Sequence, residues 1–171
     1  MRISFLLMLL FCCTSNLWSQ EFNQTLIDPR INKEILSGPV TMEAFQFDLC
    51  KNWYKSEYNN YSPSKRTMKK LREEKFNNIT FTIALGSWCH DSHREVPRFM
   101  KTLKQINYPV SKVKLFALDS YKNAPGFDPQ TMNILKVPTF IIYRNGQEIG
   151  RIIETPKRRL EKDLLQIIVK N

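Results

Sequence analysis

A β-forming segment that leads directly into a cysteine and then into an amphipathic helix constrains the fold of this chain most strongly. Between Ile79 and Gly86, β-branched and aromatic residues alternate with smaller ones, which predicts a strand. The next residues are Ser87, Trp88 and Cys89. Apolar residues then recur on one helical face, namely Val96, Phe99, Met100, Leu103 and Ile106. A strand followed at once by such a helix favours a mixed α/β fold.

The residues after this helix add three strands and a last helix. The strands are predicted over Val113 to Asp119, Thr139 to Arg144 and Glu148 to Ile153, with a loop or short helix after the first of them. Asn145-Gly146 joins the last two strands, and this dipeptide is a strong signal for a tight hairpin turn. A helix is predicted to start at Thr155-Pro156 and to cover the sheet with its leucine and isoleucine face.

The segment before this α/β region has a different pattern. Glu21 to Val40 shows little periodicity and contains Pro29 and Gly38-Pro39, so we expect an extended lead-in. Thr41 is a candidate cap for a helix that continues to about Tyr58, and a second, basic helix follows Pro63. We therefore predict a mostly helical extension over residues 20–76.

Residues 1–19 have the order of a secretory signal peptide. Arg2 precedes the apolar run Ile3 to Cys13, and a cleavage site is predicted after Ser19. The apolar run is shorter than the roughly 20 residues that cross a bilayer, and no later segment comes close, so no stable membrane span is expected. A lipoprotein anchor is the weaker alternative, because Phe11 rather than a small residue precedes Cys12. We expect an exported protein in an oxidising compartment.

The chain is strongly basic, with 26 Lys and Arg against 16 Asp and Glu among 171 residues. Its cations concentrate between Lys65 and Lys70 and again at Lys157-Arg158-Arg159. Export and the lack of interleaved aromatic residues argue against nucleic-acid binding. These runs are expected to be solvated helix faces, with anionic lipid headgroups or acidic client proteins as alternative partners.

The order of elements, with Trp88-Cys89-His90-Asp91-Ser92 at the first strand-to-helix junction, resembles the thioredoxin-like fold from about Ile79 onward. That family has Trp-Cys-x-x-Cys at a helix N-terminus and a proline eight residues after the first cysteine, the position of Pro97. It also has a cis-proline before the third strand, where Val137-Pro138-Thr139 lies. The stretch from Gly86 to Pro97 is similar to exported bacterial thioredoxin-like proteins with an N-terminal helical extension. The resemblance implies an α/β three-layer sandwich with a central mixed sheet over residues 77–171, in the bacterial periplasm or secreted.

The resemblance implies a role for each residue of the motif. Cys89 is the expected nucleophile, because the N-terminus of a helix stabilises the thiolate that attacks sulfur. Val137 and a cis Pro138 would pair with an extended client segment beside the sulfur. Trp88 would form an apolar wall of the same groove, with ordinary core packing as the alternative.

This chain departs from the family at two positions. Ser92 replaces the second cysteine, so an internal thiol cannot clear a mixed disulfide, although the hydroxyl could donate a hydrogen bond to Cys89. Ile83 lies six residues before Cys89, where the family has its buried carboxylate. His93, one helical turn after Cys89, is the nearest substitute base, and a solvated surface histidine is the alternative.

Cys50 is the second thiol outside the signal peptide. We expect it to be an inert core residue, with a resolving thiol or a disulfide partner for Cys89 as the alternatives. Cys89 and His93 have a spacing that also suits a metal, but His90 points to another face and no third ligand is marked, so neither a metal nor a cofactor is expected.

Two functional hypotheses follow. In the first, the chain is an enzyme whose monothiol Cys-x-x-Ser site, formed by Cys89, Ser92 and His93, performs isomerase-like or glutaredoxin-like exchange. Its partners would be protein thiols or disulfides and a small-molecule thiol. In the second, it is a redox-inactive module that retains the groove at Trp88 and Pro138 and binds partners.

Overall fold

The computed structural model describes residues 21–170. The predicted signal peptide, with Cys12 and Cys13, lies outside the described residues. Six strands are described: β1 (Gln24–Asp28), β2 (Lys33–Val40), β3 (Ile79–Leu85), β4 (Lys114–Ala117), β5 (Thr139–Arg144) and β6 (Gln147–Ile153). Four α-helices accompany them: α1 (Asp48–Asn60), α2 (Lys65–Glu73), α3 (His90–Gln105) and α4 (Leu160–Lys170).

The strands form one mixed sheet in the order β1-β2-β4-β3-β5-β6. β3 and β4 run parallel, because α3 crosses between them, and every other neighbouring pair is antiparallel. Asn145 and Gly146 both have positive φ and close the β5–β6 hairpin, as the sequence predicts. The predicted α/β fold with a central mixed sheet is confirmed.

The two faces of the sheet are covered differently. Phe81, Ile83 and Leu85 alternate onto the face that carries the main core, where they pack with apolar side chains of all four helices. Ala84 and Ile141 point to the opposite face and pack beneath the segment between β4 and β5. That segment, residues 119–138, is built of turns without a helix, so the third layer of the sandwich is irregular.

The N-terminal segment contains strands that the sequence did not predict. The expected lead-in over Glu21 to Val40 is instead a hairpin of β1 and β2, and β2 pairs with β4 in the central sheet. Pro39 has no backbone N–H to donate and Gly38 has a φ of 81°, so the local sequence pattern did not indicate a strand. The segment predicted as mostly helical over residues 20–76 therefore begins with two strands. β2 joins the central sheet through its pairing with β4, which lies far along the chain.

Two helices start later than their patterns predicted. The first is interrupted at Phe47, so that a short 3₁₀ turn, Met42–Gln46, precedes α1. The last begins at Leu160 rather than at Thr155-Pro156, because the Asp163 carboxylate accepts the backbone N–H groups of Lys157 and Arg158 and holds that segment in a turn. None of the helices within residues 21–170 has the length and apolar character required to cross a bilayer.

Candidate active site around Cys89

Cys89 lies between the C-terminal end of β3 and the first turn of α3. It is the N-cap residue of α3, and its own N–H donates to the Gly86 carbonyl at 2.9 Å. The side chain is half-buried and its thiol is free. A thiolate at this position would face the positive end of the helix dipole, which stabilises negative charge.

The segment before β5 lies directly opposite this thiol. The Val137–Pro138 peptide bond is cis, and Cys89 Sγ donates a hydrogen bond to the Val137 carbonyl at 3.2 Å. The Pro138 carbonyl accepts from the Glu154 N–H at 2.7 Å, which ties this segment to the end of β6. Two segments that are far apart in the sequence thus meet at one sulfur atom.

Trp88 forms one wall beside Cys89. Its indole Nε1 donates to the Leu118 carbonyl at 2.9 Å, and the Lys122 ammonium lies 5.9 Å from its ring centre. Gly86 lies beneath the indole, where an added Cβ would come within 2.9 Å of the ring. The ring is only half-buried, so it packs against the loop and also presents an exposed surface.

Ser92 is fully buried, and its hydroxyl does not bond to Cys89. Its Oγ accepts the Gly86 N–H at 3.1 Å, which ties the first turn of α3 to the end of β3. Within residues 21–170 no hydrogen bond joins Ser92 to Cys89, whose thiol donates to Val137 instead. The hydrogen bond that Ser92 could donate to a Cys89 thiolate is not formed in this structure, where Cys89 is a thiol and Ser92 Oγ is turned toward the Gly86 N–H just after β3.

His93 is half-buried against α1. Its ring stacks on Trp53 at a centroid distance of 4.4 Å, and its Nε2 lies 2.6 Å from the Ser87 carbonyl. Because a carbonyl only accepts, Nε2 carries the hydrogen and Nδ1 is the remaining acceptor of the neutral ring. Burial is the main cause that lowers the pKa of His93, and the neighbouring His90 adds to it. His93 is therefore not the solvated surface histidine of the alternative interpretation.

The lowered pKa of His93 predicts a loss of stability in mild acid. A depressed folded-state pKa means that the unfolded chain binds the proton more readily. The contribution of His93 is thus complete above its ordinary pKa of 6.5 and is lost as the pH falls through the lower folded value. We expect the free energy of unfolding in urea to fall between about pH 7.5 and about pH 5.5, and to fall less in His93→Gln.

The exposed His90 supplies the matched control for this measurement. His90→Gln should keep most of the pH dependence of the unmodified chain, because burial is the main cause of the lowered His93 pKa and His90 only adds to it. A His90→Gln variant that lost the dependence as fully as His93→Gln would contradict the assignment to the buried ring.

Charged residues on α3 form a chain of ion pairs next to the cysteine. Asp91 is paired with Arg94 at 2.7 Å, which offsets the negative charge that would oppose a thiolate at Cys89. Arg94 also contacts Glu95 at 2.7 Å, and Glu95 is almost completely buried. Glu95 Oε2 has no hydrogen-bond partner within the part of the chain that the structure describes. The sequence analysis missed Glu95, because the sequence around it does not distinguish a buried glutamate from one on the helix surface.

The fold is decided by the arrangement of four features: β3, α3, the cis peptide at Pro138 and the β5–β6 hairpin. The fold is thioredoxin-like. Among solved structures, a protein of unknown function from Pseudomonas aeruginosa is similar with a TM-score of 0.51, at 13% identity over 70% of this chain and 81% of its own. An HIV epitope-scaffold also has a TM-score of 0.51, at 12% identity over 71% of this chain and 82% of its own. Fasciola hepatica thioredoxin has a TM-score of 0.39, at 19% identity over 60% of this chain and 89% of its own. No protein-family model matches, and no curated protein does.

In this thioredoxin-like fold, the N-terminal hairpin supports two loops of the candidate site. The Leu36 N–H donates to Ser87 Oγ at 2.8 Å, and the buried Asp28 carboxylate accepts from the backbone and the hydroxyl of Ser120 at 2.8 and 2.9 Å. Burial alone would raise the pKa of Asp28, but the hydrogen bonds from Ser120, Ile31 and Arg30 outweigh it and lower the value. These contacts depend on distant pairing, so no sequence motif marked Asp28 or Ser120.

Cys50 lies in the core on α1. It is fully buried and free, and burial raises its pKa to about 12. No disulfide joins it to Cys89 in this structure, so that alternative is not realised here. Within residues 21–170, no three histidine, cysteine, aspartate or glutamate side chains are grouped closely enough to hold a metal ion.

Proposed function

We propose that Cys89 performs monothiol thiol–disulfide exchange on exported protein clients. The observation that carries this proposal is the half-exposed thiol at the N-terminus of α3, 3.2 Å from the Val137 carbonyl beside a cis-proline. Helix termini stabilise thiolates, and thiolates are the nucleophiles of disulfide exchange. Export, predicted from residues 1–19, belongs to the same proposal, because client disulfides persist in oxidising compartments.

The reaction proceeds in two balanced exchanges. The Cys89 thiolate attacks one sulfur of a client disulfide, a Cys89–client disulfide forms, and the second client sulfur leaves as a thiolate that takes up a proton from water. A different client thiolate, or that of a small thiol, then attacks the client sulfur of this mixed disulfide and releases Cys89. Each step breaks one disulfide and forms another, so there is no net oxidation, as in isomerisation.

The groove around Cys89 would bind the client as an extended segment. In the free protein the thiol donates to the Val137 carbonyl, and a thiolate has no hydrogen to donate. Deprotonation would therefore free that carbonyl to accept a backbone N–H from the client. Trp88 and the exposed Leu135 would contact the client side chains beside the disulfide.

A redox-inactive binding module is the second candidate. It is favoured by Ser92, which is buried against Gly86 and supplies no resolving thiol, and by Ile83, which fills the position of the family's carboxylate within the apolar core. The same groove would then bind a partner without exchanging disulfides.

The rate of Cys89 alkylation as a function of pH separates the two candidates. In a Cys50→Ser background, we expect alkylation of the folded chain to persist to lower pH than alkylation of the same chain in denaturant, because the helix N-terminus stabilises the thiolate. A Cys89 that is alkylated no faster at low pH than the unfolded chain, or not at all, would contradict the exchange proposal. The binding module would then remain.

A further inference from the structure

The two basic runs of the sequence lie side by side in the structure. The buried Glu161 carboxylate, in the first turn of α4, accepts the Ser64 N–H at 2.9 Å and the Tyr61 hydroxyl. Arg159 contacts Glu161 at 2.9 Å and donates to the Ser62 carbonyl at 2.6 Å. These bonds fix the turn before α2 against the start of α4, so the cations of both segments line one surface.

An open groove runs between α2 and α4, and we call it the α2–α4 groove. Basic side chains line it from both helices and from the loop before α4: Arg66, Lys70, Arg158 and Lys162. Leu165 and Val169 of α4 line it as well, and Val169 is 61% exposed. Cations on both walls thus flank aliphatic side chains that water can reach.

Four cations and two glutamates line the α2–α4 groove, so its net charge is positive. Arg158 is paired with Asp163, and two glutamates, Glu73 and Glu74, lie at the end of α2. The other three cations of the groove, Arg66, Lys70 and Lys162, are exposed, and within residues 21–170 none of them forms an ion pair. Lys65, Lys69 and Lys157, in the adjoining segments, are exposed as well. A groove with three unpaired cations, and further exposed cations in the adjoining segments, attracts an anionic partner.

We propose that the α2–α4 groove docks this protein onto an anionic lipid surface. The cations contact lipid phosphates, since each Lys or Arg near an anionic membrane strengthens binding roughly fivefold at physiological salt. Val169 and Leu165 insert at the level of the headgroups, as apolar side chains flanked by cations do in interfacial helices. An acidic protein segment would use the cations but would gain little from exposed aliphatic side chains surrounded by them. The lipid surface therefore fits the groove better.

Sedimentation with lipid vesicles tests the docking. The mature chain from Gln20 onward contains all six strands and four helices, and it is mixed with phosphatidylcholine vesicles that contain about 30% phosphatidylglycerol or none. We expect binding to the anionic vesicles alone, and a loss of about 30-fold when Arg66→Gln and Lys70→Gln remove two cations from the groove. Val169→Ser should weaken binding severalfold without any change of charge.

The matched control removes two exposed cations from elsewhere on the surface, Lys33→Gln and Lys112→Gln. It should retain most of the binding, because these residues do not line the groove. Equal losses in both double variants, or no binding to anionic vesicles, would overturn the proposal. Binding to polyglutamate but not to the vesicles would identify an acidic polypeptide as the partner instead. Cys89 alkylation should be the same in every variant, so this test is independent of the proposed exchange activity.

Discussion

The Ser92→Cys variant is expected to reduce insulin with dithiothreitol at least about tenfold faster than the unmodified chain. The position lies in the first turn of α3, three residues after the N-cap Cys89, so a thiol there attacks the mixed disulfide within one molecule. The unmodified chain must wait for a thiol from solution, because the buried Ser92 hydroxyl is no nucleophile at neutral pH. Insulin precipitation followed by turbidity measures the difference.

Two variants control this experiment. Ser92→Ala also loses the hydrogen bond from the Gly86 N–H, so it separates the effect of the new thiol from that of the lost serine. Cys89→Ser combined with Ser92→Cys retains the new thiol and removes the nucleophile, and it should be inactive. If Ser92→Cys folds like the unmodified chain by circular dichroism but reduces insulin no faster than Ser92→Ala, the new thiol does not resolve a Cys89–client disulfide and the prediction is wrong.

The parts of the fold that the sequence predicted are those with a strong local pattern. β5 has the predicted bounds, β3 ends one residue before the predicted Gly86, and α3 begins directly after Cys89. Alternation, turn residues and helical periodicity all lie within each of these segments. β2 was missed for the opposite reason. Its proline and glycine weaken the local signal, and its pairing with β4 is decided by residues some 75 positions away.

The residues of the candidate site were also predicted where a local motif marks them and missed where distant packing decides their contacts. Cys89 and Pro138 were predicted to face each other because a family resemblance places them together. In the structure the contact of Cys89 Sγ is with the carbonyl of Val137, the residue before Pro138. The contacts that support them could not be predicted, since the Trp53–His93 stack depends on how α1 packs against α3. Ser92 shows the limit of reasoning from a motif. The motif identifies the position of Ser92, but the burial of this side chain decides that its hydroxyl bonds to the backbone.

Phe99→Ala is expected to reduce the free energy of unfolding by about 3–5 kcal/mol, the largest single loss of stability that we predict. Phe99 is fully buried on α3, stacks on Phe140 at 4.7 Å and meets Phe81 edge-to-face at 5.5 Å. Its removal forfeits the burial of an aromatic side chain and leaves a cavity between the helix and two strands. Urea unfolding followed by circular dichroism measures the change.

The same substitution should also loosen the candidate site, because Phe99 joins the two elements that meet there. α3 begins directly after Cys89, and Phe140 lies three residues after Val137, so the Phe99–Phe140 stack holds the thiol opposite the Val137 carbonyl. We therefore expect faster alkylation of Cys89 in Phe99→Ala under conditions where the chain is still folded. Phe22→Ala, at a position that is 51% exposed, should change stability by less than about 1 kcal/mol and leave alkylation unaltered. A Phe99→Ala variant that lost the expected stability while Cys89 reacted as before would show that α3 is positioned by its connection to β3 rather than by its packing on β5.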